Sequence, residues 1–258
     1  MKSLVFVSGP SGSGKTTLLR MITSNRLPQQ GTVLLPPHLR VVHVSSVPAF
    51  VKSMGLYANL VFGVVPSPDY PIYANQTRVL KILERLKLHQ SWVWQSTLED
   101  SADAVPQLSA EEELADGEEE PEGQLAIEDM PDTPIPSEEA WYNRMSRSEA
   151  KRLHLARAFI ASPEVLVLHS PLSDLDKELA QDLAVLLREF VEERGIEMDP
   201  KTKHRRRRRT VFFSEKHSKE LEEMADFTCA LGDPLDIKLT ARDKSREAGA
   251  SWWGCSGP

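Results

Sequence analysis

The fold is decided by the stretch Gly9-Pro10-Ser11-Gly12-Ser13-Gly14-Lys15-Thr16. It matches the phosphate-binding pattern G-x-x-x-x-G-K-[ST] at every fixed position. The apolar run Leu4 to Val7 before it predicts a buried strand, and Lys15 to Ser24 after it predicts a helix. Strand, glycine-rich loop and helix in this order are the setting in which such a loop binds phosphate, so the stretch predicts a P-loop.

Each part of the loop has a physical task. Glycines let backbone N–H groups converge on phosphate oxygens, and the helix N-terminus adds the positive end of its dipole. Lys15 is expected to reach the outer phosphates, and the Thr16 hydroxyl to ligate Mg²⁺. An incidental turn is disfavoured because eight positions and the flanking pattern would have to agree by chance. The predicted nucleotide-binding residues are Gly9, Pro10, Ser11, Gly12, Ser13, Gly14, Lys15, Thr16 and Thr17.

Strands and helices alternate along the rest of the chain. Continuous apolar runs predict buried strands, and apolar residues at helical spacing predict amphipathic helices. Buried strands separated by helices predict an α/β fold with a mostly parallel sheet covered on both faces. The predicted elements are strands at 41–44, 165–168 and 211–213, and helices at 15–24, 79–86, 148–161, 179–190 and 219–224.

Charge is segregated along the 258 residues. The net charge is −7, but sixteen acidic residues and no basic ones lie between Glu99 and Glu139, so the rest of the chain is net positive. The acidic stretch has too little apolar surface to offset its ordering entropy and is predicted to be a disordered insertion. The five arginines 205–209 are interpreted as a solvated loop, ahead of a nucleic-acid site, a nuclear address or a partner for the acidic insertion. The absence of interleaved aromatic residues argues against nucleic acid.

Composition excludes several classes of protein. No apolar run approaches the roughly 20 residues that cross a bilayer. Only two cysteines occur, Cys229 and Cys255, which is too few for a disulfide framework and fits a reducing compartment. The first residues lack a secretory pattern. A cytoplasmic location is therefore expected.

The second half of the chain carries a family resemblance. The run 145–158, Met-Ser-Arg-Ser-Glu-Ala-Lys-Arg-Leu-His-Leu-Ala-Arg-Ala, resembles the signature loop L-S-G-G-Q-x-Q-R and its helix in ABC transporter ATP-binding domains. The run 163–176 that follows is similar to the Walker B strand and D-loop of that family. Gly31 to Val33 and Leu56 to Gly63 agree more loosely. The resemblance covers roughly Ser3 to Thr240, apart from two insertions.

The resemblance implies a P-loop NTPase fold with a helical signature subdomain. It implies ATP and Mg²⁺ as cofactors, a second ABC-type ATPase domain as dimer partner, and transmembrane domains on other chains or missing from this one. Those partners would hold the chain at the cytoplasmic side of a membrane. The expected organisation is a P-loop half at 1–98, the acidic insertion at 99–140, a signature and Walker B-like half at 141–240 with a basic loop at 192–209, and a flexible tail at 241–258.

The departures fall on positions that do chemistry in the family. The Walker B aspartate position holds His169, and the catalytic glutamate position holds Ser170. The Q-loop glutamine aligns with Ser46, and the switch histidine with Lys216, next to His217. A neutral imidazole brings no anionic charge to a metal, and a serine hydroxyl is too weak a base near neutral pH. No catalytic residue is therefore assigned, and ATP binding is expected to outlast hydrolysis.

Other readings of the sequence stay open at this point. Both signature glycines are replaced, by Arg147 and Ser148. The aromatic residue that stacks on adenine in the family lies upstream of the P-loop, where this sequence has only eight residues, so the sequence gives no support for adenine selectivity. One alternative is a non-catalytic module whose interactions depend on nucleotide. A second, less favoured alternative is a guanylate-kinase-like enzyme, which the run 156–176 argues against. His169 is interpreted as a packed histidine ahead of a metal ligand shared with His154 or His217.

Overall fold

The computed structural model describes residues 3–64, 75–88, 141–215, 219–232 and 237–241. The strands are β1 Ser3–Ser8, β2 Val41–Val44, β3 Val165–His169, β4 Thr210–Ser214, β5 Phe227–Leu231 and β6 Ile237–Ala241. The α-helices are α1 Lys15–Ile22, α2 Leu56–Val61, α3 Gln76–Arg85, α4 Arg147–Ala161, α5 Lys177–Glu192 and α6 Lys219–Met224. Short 3₁₀ helices occupy Trp141–Asn143 and Pro200–Arg205.

The six strands form one sheet in the order β2-β3-β4-β1-β5-β6. The first five are parallel, and β6 pairs antiparallel with β5. The predicted α/β fold with a mostly parallel sheet is confirmed. Because the strands are parallel, the loops after β1, β3 and β4 leave the same edge of the sheet, which brings the P-loop close to the Walker B position.

Alternation along the strands divides the core between two faces. Leu4 and Phe6 of β1 face the larger cluster, together with Leu166 and Leu168 of β3 and apolar residues of α2 to α5. The smaller cluster joins Val7 to Leu19 of α1. Neighbouring residues of one strand point to opposite faces, so an apolar run of this kind must be covered on both sides. Helix α1 therefore lies on one face of the sheet and helices α2 to α5 pack against the other.

The segment after α5 is folded, which corrects the interpretation of the arginine run as a solvated loop. Arg206 and Arg209 are 4% and 1% exposed. Arg206 donates to the carbonyls of Asp199 and Glu193 at 2.8 and 2.9 Å. Arg209 donates to Oε1 of Glu164 at 2.7 Å. A buried guanidinium is tolerated only when it is paired in this way. Arg205, Arg207 and Arg208 are exposed as expected.

Glu164, directly before β3, is the centre of a buried ion network. Arg40 donates to it from its backbone N–H at 2.9 Å and from Nε at 3.2 Å, and Arg209 approaches from the other side. Burial alone would raise the pKa of Glu164, but the hydrogen bonds from Arg40 and the charges of Arg209 and Arg40 outweigh it and lower the pKa to about 2. The network ties β2, β3 and β4 together at their amino ends.

Several sequence expectations concern residues that the structure does not describe. The acidic insertion, the switch positions Lys216 and His217, and residues 242–258 lie outside the described ranges. Helix α1 ends at Ile22, two residues before the predicted end at position 24. Of the helices that are described, none is long and apolar enough to cross a membrane.

Candidate functional site

The P-loop connects the end of β1 to the start of α1. Gly9 and Gly14 adopt φ values of +145° and +89°, which side chains rarely tolerate. A Cβ on Gly9 would also lie 2.7 Å from the carbonyl oxygen of Leu231 in the neighbouring strand β5. Backbone conformation favours glycine at both positions, and close packing requires it at Gly9, which explains why this sequence makes a tight loop instead of extending the strand.

Groups that suit an anion gather in the loop. Lys15 lies over it, because its Nζ donates to the carbonyls of Gly9 and Pro10 at 2.8 and 2.7 Å. The Ser13 hydroxyl is buried and has no hydrogen-bond partner among the described residues. No described side chain caps the N-terminus of α1, whereas Ser146 and Asp176 cap α4 and α5. The first N–H groups of α1 are thus left for a ligand.

The end of β3 faces the start of α1. Oγ1 of Thr16 and Nε2 of His169 lie 3.1 Å apart, within hydrogen-bond distance. The next residue, Ser170, has φ +50°, and its N–H donates to the Ser214 carbonyl at 2.8 Å. The structure therefore brings together the predicted metal ligand Thr16 and the histidine that stands at the Walker B position, although 153 residues separate them in the chain.

A magnesium ion fits the described side chains poorly. Mg²⁺ prefers oxygen ligands in octahedral geometry, and proteins supply them through one or two carboxylates. Across the described ranges, no group of three or more His, Cys, Asp or Glu residues is placed to hold a metal ion. The chain offers the Thr16 hydroxyl, which already contacts an imidazole. His169 is half-buried and contacts Thr16, and His217, one of the two histidines considered as a shared metal ligand, lies outside the described ranges.

Burial keeps two histidines near this edge neutral. Burial lowers the pKa of His43 on β2, and the nearby His169 and Arg20 lower it further. Burial, with the charges of Arg157, His43 and Lys151, lowers the pKa of His154 on α4 to about 4. A lowered histidine pKa means that the neutral form prevails at pH 7. His43 and His154 therefore add no positive charge to this part of the site at pH 7.

Sequence reasoning missed two residues that organise the Walker B end. Lys151 on α4 is 2% exposed and donates to the Ser46 carbonyl at 3.3 Å and to the Ser173 hydroxyl. It links the Q-loop position, the signature helix and the D-loop. Glu215, directly after β4, accepts a hydrogen bond from the Leu172 N–H at 2.9 Å. Both are polar residues beside recognised motifs, but only the three-dimensional contacts reveal their partners.

The signature serine has a structural task in this chain. Ser146 caps α4: its hydroxyl accepts from the Glu149 N–H at 3.2 Å, and its own N–H donates to the Glu149 carboxylate at 2.9 Å. This reciprocal pair is a capping box. Arg147 beside it is exposed. The signature loop thus keeps its position at a helix N-terminus, where the first helical amides point outward.

Comparison with known sequences supplies the family. The sequence model described as "ABC transporter" matches residues 1–173. The spermidine/putrescine import ATP-binding protein of Pseudomonas fluorescens is 30% identical over 197 residues, which cover 73% of this chain and 41% of that protein. The aliphatic sulfonates import ATP-binding protein of Rhodococcus jostii is 28% identical, covering 67% of this chain and 44% of its own length. The chain spans less than half the length of these relatives.

Solved structures agree on the fold. The structure described as the ATP-binding subunit of an ABC transporter has a TM-score of 0.61 at 14% identity, covering 97% of this chain and 85% of its own. A dimeric ATP-binding cassette bound to ADP and Pi has a TM-score of 0.58 at 16% identity, covering 93% and 85%. The guanylate-kinase alternative is therefore dropped. With an intact P-loop, the α4–β3 arrangement and a family match over 173 residues, the chain belongs to the ABC transporter family as a nucleotide-binding domain with the P-loop NTPase fold.

Proposed function

We propose that the chain binds ATP through residues 9–17 and transmits the nucleotide-bound state to partner domains, with hydrolysis weak or lost. The observation that carries the proposal is the arrangement of the loop: Lys15 lies over it, the Ser13 hydroxyl is buried inside it, and the first amides of α1 are uncapped. Lys15, Thr16 and Thr17 begin α1, so their amides belong to that uncapped first turn. These are the groups that bind a polyphosphate.

We expect hydrolysis to be weak or absent because of the residue that follows the carboxyl end of β3. In the family, a glutamate at the position of Ser170 polarises the attacking water, and general acid–base assistance contributes roughly 10²- to 10⁴-fold in rate. Ser170 cannot replace that base near neutral pH. The nearest carboxylate along the next strand, Glu215, already accepts the Leu172 N–H and so holds the D-loop. Phosphate binding relies on other residues, so it does not fall with this loss.

A partner at the membrane is the second part of the proposal. A cavity of about 650 Å³ lies between the Q-loop position and the signature loop, lined in part by Val47, Phe50, Tyr142 and Met145. Val47 is 73% exposed. A largely apolar cavity of this size, with Lys52, Arg147 and Asp174 also in its lining, suits a protruding segment of a transmembrane partner, which would place the chain at the cytoplasmic face. The named relatives serve import of unlike cargoes, a polyamine and aliphatic sulfonates, so no cargo is proposed.

The non-catalytic alternative differs in one respect only. In it, ATP closes a dimer with a second, competent ATP-binding domain, and this chain never turns over. The replacement of both Walker B carboxylates by His169 and Ser170 favours it. Measurable phosphate release by the purified chain that Lys15→Ala abolishes would exclude this alternative, whereas an absence of turnover is compatible with both versions.

Both versions of the proposal require the chain to bind ATP, which calorimetry in the presence of Mg²⁺ measures. Lys15→Ala removes a cation that the loop positions, and charge-assisted hydrogen bonds contribute on the order of 1.5 to 3 kcal/mol each, so we expect affinity to fall at least about tenfold. Lys177→Ala, at an exposed lysine that begins α5, is the matched control and should leave affinity unchanged. Wild-type chain that shows no ATP binding would refute the proposal.

A further inference from the structure

We infer that this site binds its nucleotide without needing a divalent cation, with His169 contacting the loop where a metal-holding carboxylate would otherwise stand. The inference deepens the proposed function and rests on it, since it concerns how the P-loop binds ATP. It names the chemical form of the ligand: the metal-free nucleoside triphosphate.

The first observation is the contact between α1 and β3. Thr16 Oγ1 lies 3.1 Å from Nε2 of His169, so the one hydroxyl expected to ligate Mg²⁺ is engaged with a side chain that brings no negative charge. An imidazole nitrogen binds Mg²⁺ poorly, because this cation prefers oxygen ligands. Metal binding here would have to break the contact and would gain no anionic ligand from position 169 in return.

The second observation concerns the carboxylates of the same edge. Glu215 is the acidic residue directly after β4, and its Oε2 accepts the Leu172 N–H at 2.9 Å. Within the described part of the chain, no acidic or histidine cluster is arranged to hold a metal ion. Next to Thr16, the end of β3 thus offers the imidazole of His169 and the hydroxyl of Ser170, neither of which brings negative charge to a metal ion.

The third observation concerns the balance of charge around the phosphates. Metal-free ATP carries more negative charge than its magnesium complex. A carboxylate at position 169 would repel that charge, whereas the imidazole does not, and a ring nitrogen that bears hydrogen can donate to a phosphate oxygen. Lys15 and the uncapped amides of α1 supply the positive side. The loop is thus equipped to neutralise phosphates directly.

The experiment measures the dissociation constant of ATP for the full chain by calorimetry, once with excess Mg²⁺ and once with EDTA. For wild type we expect the two constants to agree within about threefold, less than the effect of a single charged hydrogen bond. His169→Asp should restore dependence on the metal. Its affinity should weaken in EDTA and strengthen in Mg²⁺, raising the ratio of the two constants at least about tenfold.

Two further variants isolate the cause. His169→Asn keeps a neutral polar group and should keep the wild-type ratio, which separates charge from the packing of the ring. His204→Asp makes the same change of residue at an exposed position of the Pro200–Arg205 helix, and should not alter the ratio. Thermal unfolding of each variant checks folding, and the wild-type comparison stands even if a variant does not fold.

The outcomes distinguish the two proposals. Wild type that binds ATP only with Mg²⁺ overturns the metal-independence and leaves the proposed function intact. Wild type that binds in neither buffer refutes the proposed function and this inference with it. A folded His169→Asp variant with an unchanged ratio removes the role assigned to His169.

Discussion

The two ends of strand β3 use polar residues in opposite ways. At its amino end, Glu164 is ionised and buried between Arg40 and Arg209. At its carboxyl end, His169 and Ser170 occupy positions where the family carries carboxylates, and His43 and His154 nearby are kept neutral. One end holds a buried ion network, whereas at the other end His169 and Ser170 of the β3 strand terminus bring no carboxylate to the P-loop.

The difference separates what holds the domain together from what would drive chemistry. An ionised group buried among arginines contributes to the architecture whether or not nucleotide is present. The carboxyl end pairs with β2 up to Leu168 and with β4 up to His169, but His169 and Ser170 stand where the family resemblance leads us to expect carboxylates. Binding and hydrolysis should therefore be separable in this chain.

The largest expected effect comes from breaking the ionic end. Glu164→Gln leaves Arg209, which is 1% exposed, without a counter-charge. Breaking one partner of a buried ion pair destabilises a protein by about 3 to 5 kcal/mol, and we expect a loss of that size in the free energy of unfolding from urea titration. ATP affinity should not change, because the phosphates would bind at the opposite end of the sheet.

Glu178→Gln is the control for this change. Glu178 also pairs with a cation, since Lys87 Nζ lies 2.7 Å from its carboxylate, but its side chain is 80% exposed. Exposed pairs contribute about 0 to 1 kcal/mol, so this variant should unfold almost like wild type. Equal losses in the two variants would show that burial does not decide the strength of the Glu164 network.

Some strands of the sheet can be predicted from the sequence, and others cannot. Strands β2 and β3 lie within one residue of their predicted bounds. For β3 the reason is that its continuous apolar run is buried on both faces of the sheet. Strand β6 was not predicted as a separate strand: all five of its residues are exposed, so it has no apolar pattern to detect. It forms through backbone pairing with β5.

Local sequence patterns do not reveal contacts between residues that are distant in the chain. Arg209 looks like part of a solvated basic run, because its partner Glu164 lies 45 residues away. The Thr16 to His169 contact joins positions 153 residues apart. The motifs predict which residues belong to a nucleotide site, and the parallel order of β1, β4 and β3 determines which of these residues lie close together.

The second-largest expected effect is a loss of stability at acidic pH, caused by the buried His154. The pKa of His154 is about 4 in the folded chain, against an ordinary value of 6.5. Because the unfolded chain takes up the proton first as pH falls, this contribution to stability is present above pH 6.5 and is lost between pH 6.5 and about 4. The loss should approach about 3 kcal/mol.

Urea titrations at pH 7 and pH 4.5 measure this loss, with His154→Gln beside wild type. The variant removes the titrating group, so its stability should fall less over the same interval. His204→Gln, at an exposed histidine, should follow the wild-type curve. Parallel pH curves for wild type and His154→Gln would contradict the assignment of a neutral buried imidazole.

The smallest effect tests whether the ionic end acts as one network. Arg40→Lys keeps the charge but loses the guanidinium bonds to Glu164 at 3.2 and 3.3 Å and to the Ser162 carbonyl at 2.9 Å. Because the Arg40 side chain is 37% exposed and Arg209 remains, we expect a loss of about 1 kcal/mol in the free energy of unfolding. Arg26→Lys, at an exposed arginine, should change it by less than about 0.5 kcal/mol. The double variant tests the coupling of the two residues. In a Glu164→Gln background, Arg40→Lys should reduce the free energy of unfolding by less than it does in wild type, because the bonds to the carboxylate are already weakened. Strict additivity of the two losses would mean that Arg40 stabilises the fold through the Ala161 and Ser162 carbonyls alone, and that the charge at this end of β3 resides in the Glu164–Arg209 pair.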